Sequence, residues 1–324
     1  MNLAAIGNED QAHRGTYVRC VAFVAAIGGF LFGYDLAMNG ATNLYLRDQF
    51  QLDDAQLGFA TASAALGCIF GPFLGAWLCD AIGRKRTMIV AALLLAVSAI
   101  FTAIPDFLPG LPDDATMTVF AVFRAVGGLG VGLCSVASPM YIAEVAPPAK
   151  RGGLGLMFQL AIVVGCIAAP AVGYLILLAL PHSDSAAAIA WQQPWRWMFA
   201  SEAVAILIFV IFVFRLPRSP RWLAQKGHYE EALAVLTRID GPEYAQREIG
   251  EIRASLAQEK GGWSELFAPG MRYALFIGVL LALFNNWTGW SVMGAYIPML
   301  LEMSGLEDRA AGILQYAVTY GFMA

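Results

Sequence analysis

Seven stretches of this sequence, at about 19–39, 56–79, 87–105, 116–137, 155–180, 195–215 and 272–303, are predominantly apolar. Each is at least about as long as the roughly 20 residues that a helix needs to cross a bilayer. In hydrocarbon every backbone amide must find its partner inside the protein, so a run of this kind has little choice but to become a helix. An eighth run begins near 310 and the sequence stops at Ala324, about 15 residues in, so a cut within the eighth helix is expected. The composition agrees with spans rather than buried soluble helices. Of 324 residues, 59% are hydrophobic and only 14% charged, against roughly 25% charged in soluble domains. The expected class is an all-α membrane protein.

The loops orient it. The connections "GRKR" (83–86), "AKRGG" (149–153) and "RLPRSPRW" (215–222) are basic, whereas "RDQFQLDD" (47–54) and "PDFLPGLPDD" (105–114) are mostly acidic. By the positive-inside rule the basic set and the N-terminus are expected in the cytoplasm. The first apolar run is too long for a signal peptide and is expected to stay as a helix. No organellar leader is visible, so a bacterial cytoplasmic membrane is the expected location.

Residues 216–268 read differently. "SPRWLAQKG", "HYEEALAVLTRI" and "EYAQREIGEIRASLAQEK" have helical amphipathic spacing but are too polar to span. The expected organisation is therefore a six-helix half (1–215), a cytoplasmic helical linker (216–268) and the start of a second half (269–324).

Some function classes are excluded by what is missing from the sequence. A net charge of −4 gives no electrostatic footprint for nucleic acid. Cys20, Cys68, Cys79, Cys134 and Cys166 are scattered without metal spacing and read as small apolar packing residues. The histidines stand far apart, and "GGLGVG" lies inside an apolar helix rather than after a strand, so neither a metal, a cofactor nor an enzyme is expected.

The informative residues are the polar ones inside the spans. Asp35 sits in the first run within "GGFLFGYDLAMNG", where a bare carboxylate costs roughly 2.5–3.5 kcal/mol. Arg124 opens the glycine-rich fourth run, "RAVGGLGVG", whose small face lets a neighbouring helix approach closely. Gln159 in the fifth run, and Asn285, Asn286 and Ser291 in the seventh, are either glue between helices or the wall of a polar cavity. Amides flanked by rings such as Phe32 and Trp290 suit a polyhydroxylated ligand, since amides pair with hydroxyls and rings cover C–H faces.

Taken together, "GYD", "GRKR", "RAVGGLGVG", "PMYIAEVAPPAKRG", "QLAIVVG", "WRWMFASE" and "SPRWL" resemble, in order and spacing, the sugar porter family of the major facilitator superfamily, and most of all its bacterial xylose–proton symporters. The resemblance spans essentially the whole chain and the first two-thirds of a typical member. It implies a major facilitator fold and sugar–proton symport by alternating access, with a monosaccharide and protons as partners in a lipid bilayer and the full-length carrier acting as a monomer.

The resemblance also implies roles. Asp35, Arg124 and Glu202 would serve proton coupling, and passive members generally carry a neutral residue at the "GYD" acid. Gln159, Asn285, Asn286 and Ser291 would contact sugar, with Phe32 and Trp290 beside them. Asp80, Arg84, Glu144, Arg151 and Arg221 would form a cytoplasmic gating network. The chain departs from the family at several places. Asn285 and Asn286 stand for a pair of glutamines, Ser291 for an asparagine, Cys166 for an amide of xylose carriers, and Arg218 for the acid of "PESPR". The last removes an expected anion from the cytoplasmic network. Three rivals remain at this point: a sugar or polyol uniporter with Asp35 in a fixed ion pair, a carrier of another ligand, and a non-transporting fragment or sensor.

Overall fold

A computed structural model describes residues 3–106, 112–180, 193–258, 267, 270–306 and 308–323. Among these the regular structure is helical: α1 (Leu3–Phe50), α2 (Asp54–Ile82), α3 (Arg84–Ala103), α4 (Asp113–Val145), α5 (Arg151–Ala179), α6 (Pro194–Val213), α7 (Pro220–Gln225), α8 (Tyr229–Asp240), α9 (Pro242–Gln258), α10 (Met271–Trp287), α11 (Trp290–Met303) and α12 (Arg309–Met323). The first six are each long and apolar enough to cross a membrane. Their outward faces are apolar too. Phe59, Phe70, Phe73 and Trp77 on α2, and Leu156, Leu160, Leu175 and Leu178 on α5, are all exposed. A continuous apolar surface of this kind is stable against lipid and not against water.

The helices start and stop for local reasons. Asp53 caps α2 by accepting from the Gln56 amide, while the Gln56 side chain accepts from the Asp53 amide, a reciprocal capping box. Gly83 ends α2 at φ +91°, a conformation that L side chains avoid, and a Cβ there would lie 3.0 Å from the Trp222 ring. Pro72, Pro139 and Pro170 lie inside α2, α4 and α5, where neighbouring helices make proline tolerable.

Close packing rests on the small residues. α2 and α4 approach through Gly71 and Gly132, and a Cβ built on Gly71 would fall 2.6 Å from the Gly132 Cα. Gly71→Leu should therefore lower stability by about 1–3 kcal/mol through overpacking. Gly155 has nothing within 4 Å of its would-be Cβ, and Gly155→Ala should cost almost nothing. Thermal unfolding in detergent compares the two; equal effects would show that the α2–α4 contact is not tight.

Two local readings change. The first helix runs well beyond the expected 19–39 at both ends. The seventh apolar run is not one helix: it breaks after Trp287, and Gly289 at φ +73° caps the start of α11. Glycine adopts that left-handed conformation freely.

At the acidic-loop end the two sides of the molecule are tied together. Asn43 on α1 donates to the Ala295 carbonyl on α11 at 2.9 Å. Arg309 at the start of α12 pairs with Asp48 at 2.6 Å. At the same end Arg196 makes two hydrogen bonds to Asp106, and they hold its carboxyl below the usual carboxylate range. By contrast, every residue of α10 is exposed.

Candidate functional site

Among the described residues the buried charged side chains gather in two places. The first lies among α1, α4 and α6. Arg124 on α4 is 1% exposed and reaches Asp35 on α1 at 2.5 Å and 3.3 Å, one nitrogen to each carboxylate oxygen. This fork geometry is the strongest that arginine and a carboxylate make. The guanidinium also lies 5.1 Å from the Phe199 ring centroid, a cation–π contact from the α6 side. One turn on, Glu202 is 1% exposed and within electrostatic range of both Asp35 and Arg124. Its Oε1 has no hydrogen-bond partner among the described residues, nor has Arg124 Nε. Tyr34 and Ser201, neighbours of the two acids in sequence, hydrogen-bond each other at 2.7 Å. Two carboxylates thus face one guanidinium, and a neutral cluster needs one proton.

The second cluster lies at the basic-loop end. Arg84 bridges Glu144 at 2.8 Å and Asp80 at 3.3 Å and donates to the Cys79 carbonyl. Glu144 accepts in turn from Ser219, the N-cap of α7, at 2.5 Å. Arg151 and Arg221 line a cavity of about 350 Å³ with Arg84, Glu144 and Glu248 of α9. All five residues of the expected gating network therefore sit together. Sequence reasoning missed the residues that fasten it to the 216–258 helices. Ser219 binds Glu144. Trp222 Nε1 donates to the Asp80 carbonyl, and Tyr141 donates to the Pro217 carbonyl. The Ser-Pro pair of "SPRWL", a cap followed by proline at the first helical position, was the available signal.

Arg218 does not disrupt this cluster. It turns to Glu231 at 3.4 Å, with both side chains nearly half exposed, a geometry worth about 0–1 kcal/mol. Lys85, which would otherwise seek an acid here, donates to the carbonyls of Phe214 and Leu216.

The expected sugar contacts are less assembled. Gln159, Asn285 and Asn286 are exposed and Phe32 is partly buried. Asn286 Nδ2 bonds back to the Ala282 carbonyl within its own helix. The side chains of Trp290 and Ser291 lie outside the described set. A third polar group, unforeseen, stands toward the acidic-loop end: Asn39 donates to the Thr61 carbonyl, and Thr61 to Asn43. The i, i+4 spacing of Asn39 and Asn43 in an apolar run was its sequence signal.

The family profile described as "Sugar (and other) transporter" matches residues 21–324. The chain belongs to this family. It is 38% identical over 303 residues to the arabinose-proton symporter of Bacillus subtilis (strain 168), covering 93% of this chain and 62% of that protein. It is 34% identical to the D-xylose-proton symporter of Escherichia coli (strain K12), covering 92% of this chain and 63% of that protein. The chain thus spans less than two thirds of the length of these curated relatives. Among solved structures, the major facilitator superfamily proton:xylose symporter XylE bound to 6-bromo-6-deoxy-D-glucose superposes with a TM-score of 0.80 at 32% identity, covering 95% of this chain and 67% of that one. The partially occluded inward-open form of XylE from E. coli gives 0.79, also at 32% identity, covering 94% and 70%. The fold of the sugar transporter family member described above is the major facilitator fold.

Proposed function

We propose that this protein imports a monosaccharide together with a proton, in a bacterial cytoplasmic membrane, by alternating access around a site near the bilayer midplane. The observation that carries this reading is the buried Asp35–Arg124 pair with Glu202 at its side. Uncharged sugar cannot be concentrated without a coupled ion, and a second carboxylate beside one cation gives a proton somewhere to bind. The names of the relatives, arabinose- and xylose-proton symporters, support the same coupling.

In this mechanism a proton enters the acid pair when that region is open to the outside. Neutralising one carboxylate loosens the hold on Arg124 and lets α1, α4 and α6 shift against one another. The Arg84–Glu144–Ser219 cluster latches the cytoplasmic ends in one state and opens in the other. The basic loops and the N-terminus face the cytoplasm, and a single copy of the carrier suffices. Gln159, Asn285 and Asn286 contact the sugar, with Ser291, Phe32 and Trp290 around them. Asn285→Ala should then weaken sugar binding by about tenfold, measured by equilibrium dialysis; unchanged affinity removes Asn285 from the site.

The coupling itself is tested in proteoliposomes without a membrane potential. Adding sugar outside should make the outer medium alkaline as protons enter with it. Sugar uptake with no pH change would mean a passive carrier in which Asp35 and Arg124 form a fixed pair.

A further inference from the structure

Sharing Arg84 and Ser219 with the gating cluster, but lined by none of its acids, is a cavity of about 220 Å³ between the start of α3 and the chain leading into α7. Its lining includes Arg84, Lys85, Arg86 and Arg218 and contains no acidic residue. A cationic cavity of this kind is costly unless an anion visits it, because like charges in a partly dry site repel. The surroundings neutralise it only in part: Arg84 is paired with Glu144 and Asp80, but the other three cations are not held in this way. Among the described residues Arg86 has no acidic partner, and Arg218 has only the long, half-exposed contact to Glu231. Arg84 is 6% exposed, and its Nε is buried without a hydrogen-bond partner. Lys85 spends two of its three donors on backbone carbonyls and keeps one. The N-terminus of the 20-residue α3 adds its positive dipole end.

We infer that this cavity binds a phosphate group, with Lys85, Arg86 and Arg218 as its ligands. Arg218 makes the site: the acid expected at this position by resemblance would have cancelled one cation and repelled the anion. The walls bear on which molecule carries the phosphate. Trp222 and Phe214 also line the cavity, and Phe214 is 60% exposed at the end of the apolar helix α6. An anionic phospholipid fits, with its headgroup in the cavity and its chains along Phe214. Inorganic or sugar phosphate from the cytoplasm has the same chemistry without the chains.

The test uses the protein in nanodiscs, comparing wild type with Arg218→Glu and with Arg86→Gln/Arg218→Gln, all surface changes that should leave thermal unfolding unaltered. In one arm, discs of phosphatidylcholine with a minority of phosphatidylglycerol are dissociated and lipid retained by the protein is counted by native mass spectrometry. In the other, discs of phosphatidylcholine alone are equilibrated with labelled inorganic phosphate. Each juxtamembrane cation contributes about fivefold to anion binding, so reversing Arg218 should reduce binding by about 25-fold. Loss of phosphatidylglycerol retention in the variants supports the site with a lipid occupant. Loss of inorganic phosphate binding supports it with a soluble one. If wild type and both variants behave alike in both arms, the cavity binds no phosphate and the inference is overturned.

Discussion

Asp35→Asn should abolish uphill sugar accumulation while leaving exchange of sugar across the membrane intact. The substitution keeps the shape and a hydrogen bond to Arg124 but removes the carboxylate proposed to take up the proton. In the proposed cycle, translocation of a neutral, sugar-loaded carrier needs no further proton step, so exchange survives. Only the link to the proton gradient is lost. The loss in accumulation should be complete rather than partial. The measurement is steady-state accumulation of labelled sugar in energised vesicles, set against counterflow in the same vesicles. Retained accumulation would take Asp35 out of the coupling step.

The second large effect is on folding. Arg124→Leu removes the cation from beneath two buried acids, and breaking a buried pair by deleting one partner costs about 3–5 kcal/mol. Asp35→Asn leaves Arg124 with Glu202 still in range, so its cost should be clearly smaller. The double variant Asp35→Asn/Arg124→Leu leaves one uncompensated acid, Glu202, instead of two and should recover part of the stability lost in Arg124→Leu alone. Thermal unfolding in detergent gives the three values. If the double variant is as unstable as the sum of the single ones, the two residues are not coupled and the pair seen here does not hold α1 to α4.

How much of this was legible in the sequence follows from the physics of each feature. The six spans are visible because hydrocarbon leaves a long apolar segment no alternative to helix. Asp35 and Arg124 stand out for the same reason, since charges are rare at that depth. Their pairing lies across 89 positions, and no local rule reaches that far; only the family resemblance joined them. The break at Gly289 was not visible as a break. A glycine inside an apolar run can either continue a helix or take the left-handed conformation, and tertiary contacts decide which. The role of Ser219 was hidden because a helix cap looks the same whether or not it also binds a distant glutamate. The consequence of Arg218 could not be read from the sequence. Its charge removed an expected anion from the network, but Glu144 satisfies Arg84 and Ser219 without it, and Arg218 faces a cavity that it lines with Lys85 and Arg86.

Infrared difference spectroscopy of the Asp35 carboxyl group, followed through a pH titration with and without sugar, bears most directly on proton coupling. A carboxylic C=O band should appear as pH falls, vanish in Asp35→Asn, and move along the pH axis when sugar is bound. A side chain that stays ionised at every pH tested, with a spectrum indifferent to sugar, would contradict proton transfer at this residue and leave a passive carrier.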